Sequence, residues 1–215
     1  MNWHYISAIL PALLDGTKMT LSIFCLTLVL AIPLGLLVSV GLHSRFKPVQ
    51  AILKLYIWLM RGTPLLLQLI FVFYGLPIIH IVFQRFSAAL FAFVINYAAY
   101  FAEIFRGGLQ SIDSGQVEAG QMLGLKSGQI FRYITLPQLV KSVIPAMGNE
   151  VINLVKDSSL VYVLGLGDLL RAGNIAMARD VTLVPLLLVA VIYLLLTAVL
   201  TWGLRRLEQH YAYYE

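Results

Sequence analysis

The sequence predicts an all-α, polytopic membrane protein with five transmembrane helices and a helical hairpin projecting from one side, and three observations predict it. Of its 215 residues, 60% are hydrophobic and only 12% are charged, against roughly 25% charged residues in a soluble domain. Charge-free runs recur at about the 20 residues needed to cross about 30 Å of hydrocarbon. One connection between them, Gly107 to Val140, is too long and too regular for a simple turn. This composition excludes a water-soluble enzyme, and the long apolar runs are not the short alternating segments of an outer-membrane barrel. The formal charge of +5 lies mostly beside apolar runs, which makes it a topology signal and not a nucleic-acid footprint. A single cysteine, Cys25, builds neither a disulfide framework nor a thiolate cluster within one chain, and reads as a packed membrane residue.

The spans follow in order. Met19 to Leu42 carries no charge and is the first span. The second covers residues 55–84: an uncharged stretch from Gly62 to Gln84 led in by LYIWLM after Lys54. The third, 86–106, is uncharged to Ala102 and then admits Glu103 and Arg106. The fourth, 139–160, is interrupted by Lys141, Asn149, Glu150, Asn153, Lys156 and Asp157, the mark of a helix lining something polar. The fifth, 181–204, stops at Arg205 and Arg206. The first sixteen residues, MNWHYISAILPALLDG, lack the basic start and long apolar stretch of a cleaved signal peptide. They read as an interfacial amphipathic helix with Trp3 and Tyr5 at headgroup level.

Five crossings put the termini on opposite sides, and basic residues choose the orientation. With the N-terminus outside, nine Lys and Arg residues (Arg45, Lys47, Lys54, Arg106, Lys126, Arg132, Lys141, Arg205, Arg206) face the cytoplasm and five (Lys18, Arg85, Lys156, Arg171, Arg179) face out, with Arg61 assigned to neither side. The segment 107–138 is then cytoplasmic. Ser111 or Asp113 can cap a first short helix through QVEAGQML, Gly124 supplies a left-handed stop, Ser127 caps a second helix, and Pro137 marks where that gives way to the next element.

Glu118-Ala119-Gly120, then Gly124, then Ile134-x-Leu136-Pro137, resembles the Glu-Ala-Ala-x3-Gly-x9-Ile-x-Leu-Pro motif of ATP-binding-cassette importer permeases. Gly120 departs from the motif's second Ala and loosens the first helix by up to about 1 kcal/mol. RGTPLLLQL near Arg61, NYAAYFAEIFRGGL near Asn96 and KDSSLVYVLGLGDL near Lys156 are similar to the polar amino-acid permeases within that family. The resemblance implies a subunit of a bacterial cytoplasmic-membrane importer with two permease chains, identical or homologous, two cytoplasmic ATPases that bind ATP and Mg, and an amino-acid-binding protein outside. No G-x-x-x-x-G-K-[ST] phosphate loop occurs in the chain, so hydrolysis belongs to another subunit and this one is not an enzyme and needs no cofactor. In that context Glu118, Ala119, Gly120, Met122, Leu123, Gly124 and Leu125 form the joint seated on the ATPase. Taken alone, Glu118 is an ordinary first-turn acid and Gly124 an ordinary helix stop.

Charged groups deep in a bilayer face a cavity or a partner. Asn96, Tyr100 and Glu103 share one face of the third span, and Glu150, Asn153 and Asp157 share one face of the fourth. Gly62-Thr63-Pro64 breaks the second span, because Pro64 has no N–H and disfavours helical backbone at Thr63. A broken helix at membrane depth lines a cavity, and its restarting end suits a carboxylate near Thr63, with Gln68 one turn on. The expectation is one amino acid per chain, its carboxylate near Thr63 and its ammonium groups near Glu103, Glu150 or Asp157. Three acids favour arginine, lysine or histidine, with glutamine or another polar amino acid as the alternative. A structural reading competes: Glu103 pairs with Arg106, and Lys156 neutralises Glu150 or Asp157 across an interface. Ala31, Gly35 and Ser39 form a ridge suited to ordinary helix packing. Gly165, Gly167 and Asp168 precede a short helix at the outer face. No HExxH-type metal spacing occurs, and an ATP-independent channel or carrier is the remaining rival, although paired broken segments in two halves are lacking.

Overall fold

The computed structural model describes residues 3–211, all of whose regular elements are helical. A long helix, α1 (Trp3–Leu42), leads to α2 (Lys47–Gly62) and α3 (Leu65–Ile70). The last continues as a widened π turn at Phe71–Gly75 and a tight 3-10 turn at Leu76–Ile79. Then come α4 (Arg85–Gln110), α5 (Ser114–Met122), α6 (Ser127–Ile130), a second π turn (Phe131–Thr135), and α7 (Leu136–Asp157) with a 3-10 extension (Ser158–Leu164). The chain closes with α8 (Leu169–Asp180) and α9 (Val184–Tyr211).

Helix α4 is the central post. Its buried alanines, Ala88, Ala89, Ala92, Ala98, Ala99 and Ala102, let neighbouring helices approach closely. The ridge Ala31, Gly35, Ser39 of α1 is buried there, and a Cβ on Gly35 would sit 2.7 Å from Phe101 Cβ and 2.9 Å from the Ala98 carbonyl oxygen. Ile23 and Phe24 pack in one cluster with Ala88 and Ala92, and Val38 and Leu42 in another with Ala99 and Ala102, so α1 and α4 run parallel. The chain must therefore recross the full height between them, and α2 with the α3 segment makes that return, bent by 106° at the join. Gly148 of α7 faces Leu204, late in α9, while Lys156, further along α7, shares a cavity wall with Leu186 and Val189, early in α9, so that pair is antiparallel. Five passes result. α1, α4 and α9 are each long and apolar enough on their own.

Four expectations change. The second span breaks at Thr63, whose backbone is extended, as Pro64 implies, but its bounds are not 55–84: helix begins at Lys47, and helical backbone ends at Ile79 before a left-handed His80. No separate interfacial helix precedes the first span; its first residues Met1 and Asn2 lie outside the described residues, and from Trp3 the helix is continuous to Leu42. Forty residues reach about 60 Å, and the excess is held by protein contacts. Ile9, Leu13 and Leu169 share a buried cluster, a Cβ on Gly16 would meet backbone of Asp168 and Leu169 within 2.9 Å, and the Tyr5 hydroxyl donates to Asp180 Oδ2 at 2.7 Å. Cys25 is exposed on α1, not packed.

The hairpin supplies the fourth change. Asp113 caps α5 by accepting from the Gly115 N–H at 2.9 Å, and Gly124 ends that hairpin arm with φ +77°. Ser127, however, is the first residue of α6 and not its cap; Lys126 holds that position, and its N–H donates to Gln129 Oε1 at 2.8 Å. Nor does the helix give way at Pro137. It runs on from α6 through the π turn, where the Leu136 N–H bonds the Phe131 carbonyl, into α7. Pro137 has no N–H to offer and is accommodated in the first turn of α7.

Candidate functional site at the broken helix

Breaking α2 at Gly62-Thr63-Pro64 frees backbone carbonyls that water cannot reach in an apolar environment. Two amide side chains satisfy them. Gln68 Nε2 donates to the Met60 carbonyl at 3.0 Å, the Thr63 carbonyl at 3.2 Å and Thr63 Oγ1 at 2.8 Å. Asn96 Nδ2 donates to the Met60 carbonyl at 3.0 Å and to Gln68 Oε1 at 2.9 Å. The Thr63 hydroxyl donates back to Leu59 at 2.8 Å. Both amides are buried. Asn96 lies about 17 Å from Arg85 and about 21 Å from Gln110 along α4, so the break sits at mid-height.

A cavity of about 380 Å³ opens beside it, lined by Arg61, Thr63, Pro64, Asn96, Tyr97, Tyr100 and Asp157 among others. The buried Tyr97 hydroxyl donates to Asp157 Oδ2 at 2.8 Å, and the Arg61 guanidinium stands 5.3 Å above the Tyr100 ring. One acid and one base thus share a single cavity. A second cavity of about 440 Å³ lies toward the hairpin end, lined by His43, Lys54, Trp58, Glu103, Arg106, Gln110 and again Arg61.

Of the sequence-predicted residues, Thr63, Asn96, Tyr100 and Asp157 come together at the first cavity. Gln68 is turned inward to the break and does not line it. Glu103 lies in the second cavity, where its two oxygens accept from Arg106 Nε at 2.8 Å and Nη2 at 2.7 Å, with Arg61 Nη1 at 3.5 Å. The pairing with Arg106 is therefore present. Glu150 is half-buried with the Asn153 side chain as its polar neighbour, and Asn153 is exposed; neither lines either of these two cavities. Helices α4 and α7 are joined by the Tyr97–Asp157 hydrogen bond, through a tyrosine outside the face that carries Asn96, Tyr100 and Glu103. The ion pairs seen among the described residues involve Asp15, Glu103 and Asp180.

Arg61 and Tyr97 are the residues that sequence reasoning missed. Arg61 carried a signal, a charge next to a Gly-Thr-Pro break; Tyr97 is one aromatic among several. On the hairpin, Met122 is 91% and Leu123 80% exposed, so two large apolar side chains stand unpartnered at the tip. Glu118, Ala119 and Gly124 are exposed, Leu125 is half-buried, and Gly120 is buried against Ile130 and Ile134.

A model of the family described as "Binding-protein-dependent transport system inner membrane component" matches residues 31–213. The arginine transport system permease protein ArtQ of Bacillus subtilis is 38% identical over 206 residues, covering 94% of each chain. The glutamine transport system permease protein GlnP of Escherichia coli K12 is 36% identical over 211 residues, 97% of this chain and 96% of that one. A crystal structure of an amino acid ABC transporter with histidines superposes with TM-score 0.90 at 33% identity, covering 98% and 99% of the two chains. The inward-facing MetNI methionine ABC transporter gives TM-score 0.74 at 19% identity over the same shares, a likeness of fold.

Proposed function

We propose a role that starts from a plain fact: the chain belongs to the binding-protein-dependent transport system inner membrane components and is a permease subunit of an amino-acid importer of the ATP-binding-cassette type. In this role the chain holds one amino acid in the cavity at the broken helix and passes it across the membrane. The α-carboxylate lies at the break beside Thr63, and the α-ammonium faces Asp157. The observation that carries this reading is the pairing of Arg61 and Asp157 in one cavity of about 380 Å³ at mid-height, which suits the two charged ends of a zwitterion. The side chain carried is cationic, arginine, lysine or histidine, because Glu150 lies two turns before Asp157 on the same face of α7 and adds a second acid there. Glutamine is the second reading: the Escherichia coli relative bears that name at nearly the same identity, and Glu103 is already neutralised by Arg106.

The partners in this role are ATPase subunits that bind ATP and Mg, a second permease chain, and an amino-acid-binding protein on the far side of the membrane. The N-terminus is outside and the C-terminus cytoplasmic, which puts the hairpin of α5 and α6 where Met122 and Leu123 meet the ATPase. ATP-driven uptake of tritiated arginine into proteoliposomes, with glutamine as competitor, tests the reading. The expected result is arginine uptake that glutamine does not suppress. Glutamine uptake without arginine uptake would select the second reading, and flux without ATP would remove the importer itself.

A further inference from the structure

Arg61 is common to both cavities. Its side chain borders each of them, stacked 5.3 Å over the Tyr100 ring, and its ionic contact is loose. Glu103 already receives a two-bond fork from Arg106 at 2.8 and 2.7 Å, while Arg61 approaches the same carboxylate at 3.5 Å with 43% of its side chain exposed. Departure of Arg61 therefore leaves Glu103 neutralised. The end of α2 does not need it either, since Gln68 and Asn96 already satisfy the Met60 carbonyl. Its neighbour Gly62 has open space at the Cβ position, so the backbone beside it is uncrowded.

We infer that Arg61 is a carboxylate-selecting gate: it takes the α-carboxylate of the transported amino acid and, in doing so, leaves Tyr100 and Glu103 and opens the way from the first cavity to the second. The inference rests on the cavity reading above and adds the residue that selects the carboxylate. A guanidinium forms two parallel N–H···O bonds with a carboxylate, a better geometry than its present 3.5 Å approach to Glu103. Asp157, held by Tyr97, takes the opposite charge. Beyond the gate the lining holds Lys54 and Arg106 against Glu103, so a carboxylate is drawn onward while a cationic side chain finds no holding site and is released.

The test measures equilibrium binding to the permease–ATPase complex in lipid nanodiscs without the binding protein. Two ligand pairs are compared, arginine with argininamide and glutamine with its α-carboxamide. Each amide keeps the ammonium and side chain and loses the carboxylate charge. For whichever free acid binds, the amide is expected to bind about 10- to 100-fold more weakly, the loss of one charge-assisted contact. Arg61→Gln is expected to bring the acid down to the level of the amide without moving the amide, and Arg61→Lys to fall between. Equal binding of acid and amide by the unaltered complex would overturn the inference whether or not the variants assemble. Equal weakening of both by Arg61→Gln would also overturn it. Binding of neither acid would instead overturn the cavity reading beneath it.

Discussion

At Met60 and Thr63 the helical ladder stops, and the amides of Gln68 and Asn96 replace it. A buried carbonyl left without a donor costs about 1 to 3 kcal/mol. Asn96→Ala strands the Met60 carbonyl and Gln68 Oε1 in part, and is expected to lower the melting temperature of the purified complex with a free-energy loss of about that size. Thermal unfolding followed by intrinsic fluorescence checks it. The acids of α4 and α7 separate by a different experiment. Glu103→Gln weakens the fork to Arg106 and should depress arginine and glutamine transport alike, through assembly. Glu150→Gln should depress transport of the cationic substrate alone; an equal effect of Glu150→Gln on both substrates would remove it from the site. Asn96, Tyr100 and Asp157 were legible in the sequence because polar groups at helical spacing stand out in apolar spans. Tyr97 was not, since it is one of several aromatics along that span, among them Phe93, Tyr100 and Phe101, and no pattern says which hydroxyl finds an acid. The depth of Arg61 was hidden for another reason: hydropathy counts residues along a straight helix, and α2 is not followed by one.

At the scale of elements, two hairpin glycines make opposite predictions. Gly124 has φ +77° with nothing near its Cβ position, so Gly124→Ala carries only backbone strain of about 1 to 2 kcal/mol. It should raise hydrogen exchange across residues 114–130 and weaken retention of the ATPase, while amino-acid binding stays. Gly120→Ala restores the residue that the family motif carries. A Cβ there meets the ends of Ile134 and Ile130 at 3.0 and 3.1 Å, a crowding that flexible side chains relieve by a few tenths of an ångström, against a gain of about 1 kcal/mol in helix propensity. The expected net change in exchange is close to zero. That α4 and α9 are long helices was legible because each holds one long apolar run, although α9 starts three residues later than the run and continues to Tyr211. The 106° turn after α2 was only half legible: Pro64 announces a break, but the angle depends on amides contributed from α3 and α4, 28 residues apart. The N-terminal extension of α1 was misread because its apolar face meets α8, a contact between residues some 150 positions apart that amphipathicity cannot distinguish from lipid.

The molecule as a whole is an unfinished surface. Apolar side chains such as Leu194, Leu195 and Val199 cover the outside of α9, as expected beside lipid. On α7, by contrast, Asn149, Asn153 and Lys156 are exposed along one stripe, which hydrocarbon would not tolerate. Such a stripe is expected to face the second permease chain or the water-filled passage between the two. In a Cys25→Ser background, Asn149→Cys or Asn153→Cys should therefore give a permease dimer on mild oxidation, resolved on a non-reducing gel, whereas Leu195→Cys should not. The continuity of α6 with α7 bears on how force travels through this assembly. From Ser127 to Asp157 helical backbone is unbroken, a strut of about 45 Å with one end beside the exposed tip and the other in the wall of the cavity. A shove on Met122 and Leu123 passes the elbow at Gly124 and then travels toward Asp157 along a strut with two weak points, the widened turn at Phe131–Thr135 and Pro145 inside α7. The widened turn at Phe131–Thr135 is where such a strut can slip by a notch, and thus where the stroke of the engine would be set.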